Sequence, residues 1–132
     1  MSKFTQIQQM VFWGVVFLLL GSCASQQIMA AEPKVRIKPG RIYEECLKMK
    51  QGEVLQFSFT SSKLIDFNIH YHQGENVVYP VNKKQVTTLE GELDYDELED
   101  EAEPDTLCVM WKNPHDVYVN LNYEVLVNNK NE

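Results

Sequence analysis

The chain of 132 residues predicts an all-β fold, an antiparallel β-sandwich of about seven to eight strands. Apolar and polar residues of the body alternate with period two, as in half-buried strands. No segment beyond the leader keeps apolar positions at helical spacing. Short strand-like runs separated by Gly, Pro and Asn turns suit antiparallel hairpins, whereas parallel strands need crossover helices.

The first element is an export signal. Lys3 is the one charge before an unbroken apolar run over residues 10–20, too short for a spanning helix of about 20 apolar residues and matching a signal-peptide core. Leu20-Gly21-Ser22-Cys23 is similar to the lipobox of bacterial lipoproteins, with Cys23 as the lipid-bearing residue. Ile28-Met29-Ala30-Ala31 would serve an ordinary signal peptidase instead. The lipobox lies nearer the apolar run and is preferred, which makes residues 24–34 a polar tether to a body over residues 35–127. Either cleavage leaves Cys46 and Cys108 as an even pair in an oxidising compartment, where a disulfide is expected. Closing a loop of about 60 residues stabilises a small domain by roughly 4 kcal/mol in the chain-entropy view.

Within the body, Leu55, Phe57 and Phe59 fall on one face with Gln56 and Ser58 opposite. The run over residues 64–72 repeats the pattern, with Ile65, Phe67, Ile69 and Tyr71 inward and Asp66, Asn68, His70 and His72 outward. Gln73-Gly74-Glu75-Asn76 supplies turn chemistry before Val77-Val78-Tyr79-Pro80, so these two runs form a hairpin. A shorter β-prone piece spans residues 86–89. Leu107-Cys108-Val109-Met110-Trp111 is apolar on both faces, as an internal strand is, and Asn113-Pro114-His115-Asp116 breaks it. The last strand alternates from Val117 through Leu121, Tyr123 and Val125 to Val127, followed by a polar tail over residues 128–132.

Ten of the nineteen acidic residues fall between Glu90 and Asp105, with no basic residue among them. Repulsion at that density predicts an extended, solvated loop over residues 90–105. Asp94-Tyr95-Asp96 begins like a calcium loop, so Asp94 and Asp96 are candidate cation ligands. The match fails where Leu98 takes the fifth position and Glu99 stands in place of the sharp-turn glycine.

The formal charge of −7 becomes one unit more negative once Lys3 leaves with the leader. A chain of this charge repels phosphate backbones and anionic lipid surfaces, which argues against nucleic-acid binding. His70 and His72, two apart on a strand, share a face and could reach one Zn²⁺ or Cu²⁺ ion, with Asp66 or Asn68 further along the row. Two ligands do not complete a site, and an ordinary solvated face beside a hairpin turn is the preferred reading of the row. Reduced Cys46 and Cys108 with Met49 and Met110 would extend it to Cu(I). The chain carries no phosphate loop, nucleophile elbow or Cys-x-x-Cys pair, so no catalytic residue and no cofactor are assigned.

Glu45-Cys46-Leu47, the run over residues 52–59, Ile65-Asp66-Phe67-Asn68-Ile69, Val77-Val78-Tyr79, and Leu107-Cys108-Val109-Met110-Trp111-Lys112-Asn113 leading into Tyr123-Glu124-Val125 together resemble a GOLD domain. That family includes lumenal domains of secretory-pathway cargo adaptors and terminal domains of lipid-transfer proteins. The resemblance spans about 85 residues, from Tyr43 to Val127. It implies a β-sandwich, a Cys46–Cys108 disulfide as in the adaptor branch, and recognition of protein or lipid without catalysis. The coiled coil, transmembrane helix and coat-binding tail of the adaptors are not found in these residues, so cargo sorting does not carry over.

The expected function is therefore that of an exported, non-catalytic binding module, periplasmic or held at the bacterial cell envelope by a lipid on Cys23. Its partner would be a protein or a lipid. Candidate recognition residues are Asp66, Asn68, Asp94 and Asp96. The alternative is a periplasmic copper- or zinc-binding protein using His70 and His72.

Overall fold

The computed structural model describes residues 34–98, 104 and 106–130. Cys23, the leader, the tether up to residue 33, residues 99–103 and 105 of the acidic run and residues 131–132 of the polar tail lie outside these. Among the described residues six strands form one antiparallel sheet: β1 (Val35–Ile37), β2 (Ile42–Lys48), β3 (Glu53–Gln73), β4 (Asn76–Asp94), β5 (Thr106–Lys112) and β6 (Val119–Asn129). The all-β antiparallel class expected from the alternation holds.

Six strands appear where seven or eight were expected, because two pairs of runs are continuous. Residues 53–60 and 64–72 are one 21-residue strand, β3, and the pieces around Val77–Pro80 and residues 86–89 are one 19-residue strand, β4. The turn between them is the expected one, with Gln73 opposite Asn76 and Gly74 at φ +60°, a left-handed value that glycine adopts without a Cβ penalty. β4 pairs with β3 along nearly its whole length, from Val54–Asp94 to Gln73–Asn76. On its other edge β3 changes partner: Glu53 to Ser61 pair with β6, and Asp66 to His70 pair with β5.

The exchange is made at a corner. The register slips between Thr60 and Ile65, and Gln85 on the facing strand takes φ +55°. Bulges of this kind bend a strand without ending its pairing. Ser61 Oγ donates to the carbonyl of Lys63 at 2.7 Å, and the Asp66 carboxylate accepts from the Gln85 amide and the Lys84 ammonium, each at 3.3 Å. The β1-β6-β3-β5-β2 order therefore curls, and its two limbs face each other across an aromatic core. Phe57 and Phe59 from one limb meet Phe67 and Trp111 from the other, with centroids of 5.4 Å for Phe57–Phe67 and 4.8 Å for Phe59–Phe67.

Tyr123 of β6 closes the concavity against β2. Its ring lies 4.7 Å from Trp111 and 5.5 Å from Tyr43. The Tyr123 hydroxyl donates to Glu45 at 2.7 Å and stands 2.7 Å from the Tyr43 hydroxyl, which donates to it in turn. Burial, then Glu45 and Tyr43, push the Tyr123 phenol far above its ordinary pKa, so it is held as a neutral donor. The expected core residues Leu55, Phe57, Phe59, Ile65, Phe67, Ile69, Trp111 and Leu121 are buried, while Tyr123 and Val125 are half-buried.

Asn113 ties the strand ends together. Fully buried, its amide nitrogen donates to the carbonyls of Ile37, Lys38 and Val117 at 2.8–3.1 Å, and its oxygen accepts from the His115 amide at 2.9 Å. One side chain thus satisfies backbone carbonyls from the end of β1 and from the turn before β6.

Three boundaries depart from expectation. Val117 is exposed and lies before β6, its carbonyl bonded by Asn113 rather than by a neighbouring strand. Asn128 and Asn129 continue β6 opposite Val54 and Glu53, so the strand outruns the apolar pattern. The acidic run also begins inside β4 rather than as a loop. Leu93 and Tyr95 turn inward, Tyr95 is buried and donates to the Pro104 carbonyl at 2.8 Å, and Glu90 and Glu92 take the outer face between them. Apolar residues at alternate positions fix the strand despite the charge.

Two substitutions test this frame. Asn113→Ala removes the shared donor and leaves buried carbonyls unpaired, and equilibrium urea unfolding should show a loss of about 2–4 kcal/mol. A Cβ on Gly91 would stand 2.8 Å from Cζ of Phe57, its cross-strand neighbour. Gly91→Val should cost about 1–3 kcal/mol through overpacking, and Phe57→Leu in that background should recover part of it.

Candidate functional site

The outer face of β2, β5 and β3 carries the chemistry-bearing side chains. Cys46 pairs directly with Cys108 across β2 and β5, and His70 of β3 pairs with Cys108 on its other side. A sequence separation of 62 thus resolves into adjacent strands of one sheet, and the two sulfurs form a disulfide. Side chains opposite each other in antiparallel strands share a face, so the row continues the disulfide into the imidazole. Two residues along each strand, on the same face, stand Glu44, Met110 and Asn68.

The outward-facing row expected from alternation needs correction. Asn68 and His70 do point away from the aromatic core, yet they are only 6% and 7% exposed. Neighbours on the outer face cover them: His72 and Tyr79 stand 5.6 and 5.7 Å from the His70 ring, and Glu44 flanks it from β2. His72 is exposed as expected. Asp66 is occupied at the corner, with Lys84 and the Gln85 amide as its partners.

His70 is held on both ring nitrogens. Nδ1 lies 2.8 Å from the amide oxygen of Asn68, which makes Nδ1 the donor, and Nε2 lies 3.4 Å from a Glu44 carboxylate oxygen. Burial lowers the His70 pKa below the ordinary imidazole value; Glu44 opposes this and His72 adds to it. Among the described residues, Glu44, His70 and Cys108 are grouped with their ligand-type atoms all within 4.8 Å of one another. Glu44 and Cys108 are the partners that sequence reasoning did not assign to His70. The two-residue spacing pointed along one strand to His72, whereas the partners come from across the sheet. Met110 shares this face, while Met49 is buried in the core.

Asp94 and Asp96 are committed elsewhere. Lys130 bonds both, with Nζ 2.7 Å from Asp94, while Asp96 accepts the Gly52 amide at 3.1 Å and Asp94 accepts the Asp96 amide at 2.9 Å. These contacts depress the Asp96 pKa, first through the Lys130 hydrogen bond and then through Gly52. The pair closes the end of β4 against β6.

A second surface went unread in the sequence. At the corner end, Leu64, Val117 and Tyr118 are 44–49% exposed. The Leu64 carbonyl lies 2.6 Å from His115 Nε2, and the Arg36 guanidinium lies over the Tyr118 ring at 5.0 Å. Arg36, Lys38 and Arg41 line a shallow depression between β1 and β2 together with Ile42, which is 53% exposed. Lys63 and Lys112 are exposed nearby, and Asp116 is the carboxylate of this turn. An end rich in cations coexists with the negative total because, among the described acids, Glu90, Glu92, Asp94, Asp96 and Glu97 lie at the end of β4 and just after it. Charge summed over the chain hid it. The recurrence of Arg36, Lys38 and Arg41 around Pro39-Gly40 was the available signal.

No protein-family model matches this chain, and no curated protein aligns with it significantly.

The burial of His70 carries a pH dependence with a definite sign. Its pKa is lower in the folded state, so the unfolded chain takes up the proton more readily. Stability should be complete above about pH 6.5, the free-imidazole value, and should decline as pH falls below it towards the folded value. Unfolding midpoints between pH 7.5 and 5 should show this slope in the oxidised protein, and His70→Gln should flatten it.

Proposed function

We propose that this chain is an exported, non-catalytic recognition module of the bacterial cell envelope, GOLD-like in its strand pattern, tethered through Cys23 and resting on an anionic lipid surface. The single observation that carries the reading is the corner end, where exposed Leu64, Val117 and Tyr118 adjoin Arg36, Lys38 and Arg41. Cationic side chains beside exposed aliphatic and tyrosyl groups suit the boundary between headgroups and acyl chains. The negative remainder of the molecule is repelled by the same surface, which would orient the domain with this end down. The Cys46–Cys108 disulfide supports an oxidising compartment. The resemblance to GOLD domains, some of which belong to lipid-transfer proteins, agrees with a lipid partner.

Vesicle co-sedimentation tests this, using a chain that begins at residue 24 so that neither the apolar leader nor a lipid contributes. Vesicles rich in phosphatidylglycerol should retain the protein in a salt-sensitive manner, and phosphatidylcholine vesicles should not. Each basic residue near such a surface contributes about 1 kcal/mol. Replacing Arg36, Lys38 and Arg41 together by Ala should therefore weaken binding about a hundredfold. Equal binding to both vesicle types, or a triple variant that binds as well as its parent, would rule the reading out.

A further inference from the structure

The cluster on the outer face of β2, β5 and β3 has an arrangement that the disulfide alone does not explain. Its four relevant groups come from three adjacent strands: Glu44 and Cys46 from β2, Cys108 from β5 and His70 from β3. Each is set by backbone register, so the cluster is as rigid as the ladders that hold it. The ligand-type atoms of Glu44, His70 and Cys108 already lie within 4.8 Å of one another, and Cys46 Sγ is bonded to Cys108 Sγ. Tetrahedral zinc with bonds of about 2.0–2.3 Å sets its ligands about 3.3–3.8 Å apart. Rotamer adjustments of about 1 Å would therefore close the set.

The imidazole is presented for this purpose. Asn68 accepts the Nδ1 hydrogen bond, which leaves the Nε2 lone pair facing the Glu44 carboxylate, with the Cys108 sulfur in the same cluster. Metal-bound histidines are oriented by a hydrogen bond on the other ring nitrogen in this manner. An imidazole lone pair, a carboxylate and a sulfur converging on one point attract a cation. While the sulfurs are bonded to each other they are poor donors, and the set lacks its two strongest ligands.

We propose that reduction of the Cys46–Cys108 disulfide converts this face into a zinc site in which the Cys46 and Cys108 thiolates, His70 Nε2 and the Glu44 carboxylate bind one Zn²⁺ ion. A dithiol reductant supplies two electrons and two protons, becomes a disulfide itself, and leaves Cys46 and Cys108 as thiols. Zn²⁺ then displaces the two thiol protons to solvent, with no redox change at the metal. The exposure of Cys46 gives the reductant access. Two thiolates, one imidazole and one carboxylate form a donor set suited to zinc. In either state β2 stays cross-linked to β5, by sulfur or by metal, and the metal adds β3 to the link. The redox state of the surroundings would select between a bridged domain and a zinc-loaded one.

The experiment uses the exported protein purified in detergent, reduced with a trialkylphosphine, which supplies the two electrons and takes up oxygen from water without chelating the metal. Co²⁺ serves as the spectroscopic probe and Zn²⁺ as its competitor. The reduced protein should bind one Co²⁺ with near-ultraviolet thiolate charge-transfer bands and intense visible bands of tetrahedral cobalt. Zn²⁺ should bleach both. The oxidised protein should show neither. His70→Ala and Glu44→Gln should each weaken Zn²⁺ binding at least tenfold, the second being a conservative change on an exposed side chain. Four results would overturn the proposal: reduced protein with two titratable thiols but no charge-transfer band; reduced protein that has lost its β-sheet circular dichroism; the same cobalt spectrum with the disulfide intact; or Glu44→Gln and His70→Ala proteins that bind Zn²⁺ as tightly as the parent.

Discussion

The structure depends on β3 staying continuous through its corner. A strand of 21 residues that ended at Thr60 would leave two short hairpins, each with one apolar face and nothing to cover it. Because the chain bends at Ser61–Leu64 and keeps β4 as its companion on both sides, Phe57 and Phe59 are folded over Phe67 and Trp111. The side-chain bonds of Ser61 and Asp66 satisfy polar backbone groups where the ladder is interrupted. Trp111 then sits where the two limbs meet, touching Tyr43, Phe59, Phe67 and Tyr123. Asn113, two residues on in the same strand direction, ties down the segments that cap this core.

Much of this is legible in the sequence. Alternation assigns the inward residues of β3 almost without error and those of β6 from Val119 onward, because each has one face on a common core, whereas β5 reads as apolar on both faces. The Gly74-Glu75 turn is equally readable. What the pattern does not reveal is continuity: Ser61, Ser62 and Lys63 look like a loop, and only the pairing of Thr60 and Ile65 with β4 on either side of them shows a bend within a strand. β1 and β2 are quieter still. β1 has three residues with only Ile37 buried, and the alternate positions of β2 are exposed or half-buried, as edge strands allow, so Tyr43 and Glu45 gain their meaning only from Tyr123 across the concavity.

The candidate site divides in the same way. Single-strand arithmetic places His70 beside His72 and leaves both in solvent. The sheet places His70 beside Cys108 and Glu44, residues separated from it by 38 and 26 positions. The acidic pair Asp94 and Asp96 looked like cation ligands because the sequence does not show Lys130 arriving from the end of β6. Net charge likewise averages over two ends of opposite character.

β4 has a further consequence. Among the described residues it pairs with β3 alone, which leaves a 19-residue edge along its other side. Pro80 removes one amide from the strand, Lys83 and Lys84 are exposed, and the left-handed Gln85 turns the backbone out of line. A foreign strand laid alongside would lose register at each of these points. Gln85, which belongs to the bend that builds the core, therefore also interrupts edge-to-edge addition of further strands, so one residue serves both the shape and the guarding of the open edge.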